Sequence, residues 1–292
     1  MKICISGVKD IGLHRTENED DFSFCPDLNV QTWDKSVLGC YKSIGKLGAM
    51  AILADGMGGA NAGELASSIV IDSIRKECTP TVLSSVGTTE DNIRDFMIAV
   101  ISKAKQAIIK HVESDPTTIG MGTTVVLLWL INNTAHIAWC GDSRCYVFNP
   151  KNGLKCLSKD HSYVQELIDN GKITLAESYN HPDSSVITRC LGDCDVSSEP
   201  DIVTYKINQY DTFLLCSDGL CGYCLDEQIE EVLFKHYISI QECCKKLVTL
   251  ALSKGGEDNI SVVLLSTMGD DEDHIQMGVV DKIKRYIKRL YH

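Results

Sequence analysis

The chain has 292 residues, 44% hydrophobic and 23% charged, enough apolar material for one large core or two modest ones. A formal net charge of −12 argues against nucleic acid as a partner, because phosphates attract basic surfaces. No run approaches the roughly 20 apolar residues that cross a bilayer, and Met1–Gly12 has neither a long apolar stretch nor a small-residue cleavage site, so a cytoplasmic location is expected.

Residues 1–267 read as one domain without internal repeats. A strand is expected at Phe22–Phe24, and the apolar run Leu47–Ala54 reads as a buried strand ending at Asp55-Gly56-Met57-Gly58-Gly59. Helices follow over about Asn61–Lys76 and Glu90–Ser114. In the second, Ile93, Met97, Val100, Ile101, Ala104, Ile108 and Val112 recur at helical spacing. Gly122–Ile131 and Thr134–Cys140 form a hairpin through Asn132-Asn133. Arg144–Phe148 and Leu154–Leu157 are strands joined by a turn. Residues 158–198 make a long polar excursion with one helical patch near Tyr163–Asn170, the kind of segment that serves as a lid. Strands at Asp201–Ile207 and Thr212–Cys216, helices near Asp226–Lys235 and Ile240–Lys254, and a strand at Asn259–Ser266 complete the domain. Short turns imply antiparallel pairing. Burying every apolar face then predicts an α+β fold, a four-layer α-β-β-α sandwich of two mainly antiparallel sheets flanked by helix pairs.

The 14 cysteines are expected as buried thiols in a reducing compartment. Cys190, Cys194, Cys221 and Cys224 also have spacings from which a four-cysteine zinc site can be built.

Carboxylates recur at strand ends. Asp55 follows AILA, Asp142 follows IAWCG, Asp218 follows FLLCS, Asp258 precedes NISVVLL, and Glu19 and Asp20 precede the first expected strand. Any one of them alone reads as a turn or cap residue. Gathered together, they stay ionised only beside a compensating cation. Hard oxygen donors without clustered histidine suit Mg²⁺ or Mn²⁺. Two such ions about 4 Å apart can share one water and activate it for in-line attack on a phosphoester.

The ordered motifs resemble the metal-dependent protein phosphatases of type 2C, specifically their compact bacterial branch, from about Gly7 to Leu265. They are R-T-E-N-E-D (Arg15–Asp20), A-D-G-M-G-G (Ala54–Gly59), G-T-T (Gly122–Thr124), G-D-S-R (Gly141–Arg144), D-H-S (Asp160–Ser162), H-P (His181-Pro182), I-T-R-x-L-G (Ile187–Gly192), S-D-G-L (Ser217–Leu220) and E-D-N-I-S-V (Glu257–Val262). The resemblance implies hydrolysis of phosphoserine and phosphothreonine in proteins by a metal-bridged water at a two- or three-metal site. It makes Asp55 the bridging ligand of two Mn²⁺ or Mg²⁺ ions and the Gly56 carbonyl a ligand of one. Glu19 completes that ion's shell, largely through water, with Asp20 behind it. Asp218 and Asp258 bind the other ion, and Asp142 matches a third, weaker site. Arg15 takes the phosphate-binding position, and the excursion Ser158–Asp193 corresponds to a mobile flap. Arg15, Asp55 and Asp218 are thus the expected catalytic residues. Many eukaryotic members carry histidine where this chain has Met57, so the proton donor to the leaving group is open; His161 and His181 read as flap or capping residues.

Two other functions remain to be weighed: a pseudophosphatase serving as a binding or regulatory module, and a phosphatase of a small metabolite. The implied partner is a phosphorylated protein, the substrate of a serine/threonine kinase. Residues 268–292 read as an acidic linker, with Asp270–Asp273, followed by a basic amphipathic helix. Its apolar stripe is Val279, Val280, Ile283, Ile287 and Leu290, and it is suited to contact with the domain, a partner or a membrane surface.

Overall fold

The structure is a computed structural model and describes residues 1–35, 42–58, 62–179, 181–192 and 196–268. Two antiparallel sheets dominate it. The first runs in the order β3 (Lys42–Ser43), β1 (Lys2–Asp10), β13 (Ile260–Met268), β12 (Thr212–Cys216), β8 (Arg144–Asn149) and β9 (Gly153–Cys156). The second runs β10 (Leu191–Gly192), β5 (Gly122–Thr123), β4 (Ala49–Met57), β6 (Val125–Ile131), β7 (Thr134–Cys140) and β11 (Asp201–Lys206). In it β2 (Asp20–Cys25) also pairs with β4.

Three apolar layers make this the expected four-layer sandwich. Ile5, Phe24, Leu128, Phe213 and Leu265 meet between the sheets. The outer face of the second sheet is covered by α1 (Ala62–Glu77) and α3 (Glu90–Ser114), whose buried stripe is the one read from the sequence. The outer face of the first is covered by α7 (Asp226–His236) and α8 (Ile240–Ser253). Trp129 anchors its layer fully buried, with Nε1 donating to the Leu47 carbonyl at 2.8 Å. Replacing such a ring by alanine costs about 3–5 kcal/mol. The β6–β7 hairpin turns at Asn132 and Asn133, both at positive φ, 50° and 60°. Those values suit a two-residue turn whose twist matches the strands.

The departures from expectation are local. Strand β1 pairs with β13 over its whole length yet carried no clear signal, because Gly7 interrupts its alternation. A Cβ there would lie 2.5 Å from the Phe22 ring, so the gap in the pattern is the space that ring fills. Two short helices were not anticipated, α2 (Pro80–Val86), capped by Thr79, and α5 (Leu175–Ser178), closed by a Thr174–Glu177 capping box. The expected strand Gly122–Ile131 breaks at Thr124, and β4 runs on through Met57 instead of stopping at Ala54.

Cys221 and Cys224 are buried in the core under α7 and α8, whereas Cys190 lies beside Gly122 in the other sheet, so these three do not form a zinc site. Cys194, Gly59 and the tail from residue 269 onward lie outside the described residues. Strand β13 itself continues to Met268. Among the described residues no helix is long and apolar enough to cross a membrane.

Candidate active site

The carboxylates gather at one end of the sandwich, drawn from both sheets. Asp20 and Asp55 face each other as register partners on β2 and β4. The Asp55 backbone is clamped by Thr123 and Thr124. Its carbonyl accepts from Thr124 N–H at 2.8 Å and Thr123 Oγ1 at 2.8 Å, and its N–H donates to Thr124 Oγ1 at 3.1 Å. Gly56 N–H donates to the Glu19 carbonyl at 3.1 Å. The Glu19 carboxylate lies against the first turn of α1, accepting from the Gly63 N–H; a Cβ on Gly63 would stand 2.4 Å from Glu19 Oε1. Glycine is required there because the carboxylate occupies the space.

Asp218 opens the short helix α6 (Asp218–Cys221) after β12, its carboxyl close enough to Asp55 for the two to act on each other's ionisation. Arg15 Nη2 donates to Asp258 Oδ2 at 2.7 Å across 243 residues of sequence. Three residues that were read only as part of motifs join these loops. Ser217 Oγ donates to Asp20 Oδ2 at 2.7 Å and accepts from Ser261 N–H at 2.9 Å. Asn259 Oδ1 accepts from Glu19 N–H at 2.8 Å, while its Nδ2 donates to the carbonyls of Ile11 and Glu17 at 3.0 and 2.9 Å. Thr124 clamps Asp55. Their signal in the sequence was adjacency to the acids, with nothing to show which backbone each would reach. The two acid-bearing loops also touch directly, since a Cβ on Gly219 would lie 1.9 Å from the Asn259 carbonyl.

Asp20 is buried, 1% exposed, whereas Glu19, Asp55, Asp142, Asp218 and Asp258 keep part of their surface open to the mouth of the site. Burial, with Asp218 and Asp258 nearby, pushes the Asp20 carboxyl up to about 7. Burial and then the charges of Asp20, Asp218, Asp142 and Asp258 raise Asp55 well above the usual carboxylate range. Asp142 is raised by burial and by Asp218. Asp218 rises to about 6 through burial and Asp258, against the opposing effects of the neighbouring Asp55 side chain and of Arg15. Glu19 is raised by burial, with Arg15 opposing. The site therefore concentrates negative charge that Arg15 alone does not compensate. Asp20 Oδ1 is buried with no hydrogen-bond partner among the described residues. Hard oxygen donors, excess negative charge and an orphaned carboxylate oxygen fit divalent cations. Among the described residues no group of three or more His, Cys, Asp or Glu side chains is placed closely enough to hold a metal ion as it stands.

An adjoining cleft of about 110 Å³ is lined by Asp142 and Asp218 together with Ser162, Val164, Ser178, Tyr179, Ser184 and Ser185 of the excursion. Residues of the excursion after Ser158 thus lie beside Asp142 and Asp218, and the excursion carries α4 (Tyr163–Asp169), α5 and β10. His181 Nδ1 accepts from Asp183 N–H at 3.1 Å, a local turn contact. Met57 ends β4 and brings no titratable group.

A family model described as protein phosphatase 2C matches residues 40–249, more than half of the chain. The serine/threonine phosphatase stp of Listeria monocytogenes serovar 1/2a is 35% identical over 219 residues, which cover 74% of this chain and 83% of that protein. A putative protein phosphatase 2C-type of Streptococcus pyogenes serotype M6 is 32% identical over 271 residues, covering 93% of this chain and 99% of that protein. The crystal structure of the Mycobacterium tuberculosis serine/threonine phosphatase PstP/Ppp superposes with a TM-score of 0.73 at 32% identity, covering 92% of this chain and all of that one, 100%. The PstP catalytic domain in complex with 2 manganese ions gives a TM-score of 0.72 at 30% identity, covering 92% of this chain and 99% of that one. Sandwich, motif order and these matches agree: the chain belongs to the protein phosphatase 2C family of serine/threonine protein phosphatases.

Proposed function

We propose that the chain hydrolyses phosphoserine and phosphothreonine in proteins, the products of a serine/threonine kinase, in the cytoplasm, at a site holding two divalent cations, Mn²⁺ or Mg²⁺, with room for a third. The observation that carries the reading is the convergence of carboxylates from both sheets around Asp55, with the oxygen of Asp20 left unpartnered behind it. Asp55, the Gly56 carbonyl and Glu19 would hold one cation, with Asp20 orienting that shell. Asp55, Asp218 and Asp258 would hold the other, and Asp142 a third. Bound there, the cations supply Lewis acidity that brings the ionisation of water toward neutral pH, together with positive charge for a phosphoryl group.

The chain's own residues do the rest. Thr123 and Thr124 fix the Asp55 backbone, so its carboxylate does not drift as charge develops. Arg15 is about half exposed at the rim, within reach of incoming phosphate oxygens, and a guanidinium fork suits them. Its bond to Asp258 orients it in the absence of substrate. The wall formed by Ser162 and Tyr179 limits how the peptide around the phosphoresidue lies.

The test is phosphate release from phosphoserine and phosphothreonine peptides with Mn²⁺, with and without chelator. Release should require the metal and fall to background in Asp55→Asn and Asp218→Asn, both remaining folded by circular dichroism. Preference for sugar phosphates over phosphopeptides would replace the protein substrate with a metabolite. No metal-dependent release from either class would remove the enzymatic assignment.

A further inference from the structure

His161 has no role in the chemistry above, yet it is tied into the site from several sides. It is 7% exposed and sits where the flap leaves the domain. Its Nδ1 accepts from Gly141 N–H at 3.1 Å, and its own N–H donates to the Gly141 carbonyl at 3.0 Å, so the two residues are locked in both directions. Gly141 holds φ +115°, and a Cβ there would strike Thr124 at 2.6 Å. Only glycine fits this position, and its backbone rests on its neighbours. Asp142 is the next residue. Beyond it, Ser143 Oγ pairs with Thr124 Oγ1 at 2.7 Å, and Thr124 clamps the Asp55 backbone. On the flap side, the His161 carbonyl accepts from Thr188 N–H at 2.7 Å. The imidazole stacks on Trp139 with centroids 6.1 Å apart, and Nε2 lies 3.3 Å from Asp201 Oδ2.

We propose that His161 is a positioning residue: by accepting the Gly141 N–H through Nδ1, it fixes the Gly141–Ser143 turn, and with it Asp142 and the Thr124 clamp on Asp55, relative to the flap. The inference rests on the metal-site reading above. An accepting Nδ1 requires the neutral Nε2–H tautomer, and burial, which lowers the His161 pKa, favours that form. The Nε2 proton then faces Asp201, which Arg189 Nη1 holds from the other side at 2.8 Å.

The two ring nitrogens give a sharp test. Asparagine places an acceptor oxygen where Nδ1 stands, whereas glutamine reaches the Nε2 position and leaves Gly141 N–H unpaired. Mn²⁺ binding to the full-length chain is measured by calorimetry, alongside kcat and KM on a phosphopeptide. His161→Asn should rescue Mn²⁺ affinity to within about threefold of the parent, while His161→Gln should weaken it at least about tenfold, the scale set by partners behind a metal's ligands. Turnover should fall through kcat more than through KM, because the peptide wall is left intact. Equal Mn²⁺ affinities for the two variants would overturn the proposal. If His161→Gln does not fold, Ser143→Ala cuts the same relay one link further on; it should weaken Mn²⁺ binding in the same direction, and unchanged binding would count against the role. Asp55→Asn is the reference. Parent-like Mn²⁺ affinity in that variant would sink the metal-site reading itself, whereas weak binding there with equal asparagine and glutamine variants removes only His161.

Discussion

Asp20 offers an unusual perturbation: removing a charge from the centre of the site should make the metal-free protein more stable. Its carboxyl is 1% exposed, one oxygen accepts from Ser217 Oγ and the other has no partner among the described residues. Burial displaces its ionisation from the ordinary 3.8 to about 7. The folded chain therefore binds this proton more tightly than the unfolded chain does. Its contribution is full below about pH 4 and is lost as pH rises to about 7, remaining absent above that. At pH 8 without metal, the ionised group costs up to ~4 kcal/mol. Asp20→Asn removes that cost but leaves amide hydrogens to satisfy, a penalty of about 1–3 kcal/mol. The net gain is about 1–3 kcal/mol, or a rise in Tm of about 2–10 °C for a domain of this size. Calorimetric melts in chelator at pH 8 and pH 5, repeated with Mn²⁺, provide the assay. The gain should appear at pH 8, vanish at pH 5 where Asp20 is already protonated, and reverse when Mn²⁺ stabilises the parent more than the variant. An Asp20→Asn protein that melts below the parent at pH 8 in chelator would refute the reasoning.

Arg15→Ala should raise KM for a phosphopeptide about tenfold while leaving kcat within a factor of a few, with Arg15→Lys intermediate because one ammonium does not replace a fork; steady-state kinetics separate the two constants. Gly219→Ala forces a Cβ to within 1.9 Å of the Asn259 carbonyl and should cost at least about 2 kcal/mol in urea unfolding, weakening Mn²⁺ binding by parting the Asp218 and Asp258 loops. Asn259→Ala removes acceptor and donor contacts to three backbone groups of residues 11–19; it should lower stability by about 2 kcal/mol and raise protease sensitivity within that segment.

Helix α3 was legible to the residue because a long amphipathic stripe is a property of the segment itself. Strand β1 was not, because its missing side chain at Gly7 is explained by Phe22, which reaches it only in the fold. The short helices α2 and α5 are single turns or little more, too brief for periodicity to register, although Thr79 and the Thr174–Glu177 box carry capping signals. At the site the acids announced themselves by recurring at strand ends. Ser217, Asn259 and Thr124 stayed silent because a buried hydroxyl or amide acquires meaning only from the backbone it meets, and those backbones come from distant segments. The cysteine spacings suggested a zinc site that the fold divides between opposite layers.

Asp20 and Asp55 stand on one sheet, whereas Asp218 opens α6 just after β12 of the other and Asp258 lies just before its β13. The pocket therefore spans a seam and acts as an alignment gauge for the two halves. A fraction of an ångström of shear along the layer containing Phe24, Leu128 and Phe213 leaves each sheet and its helices intact while moving the two pairs of carboxylates apart. Conservative repacking of that middle layer, far from any carboxylate, should register in catalysis before it registers in unfolding.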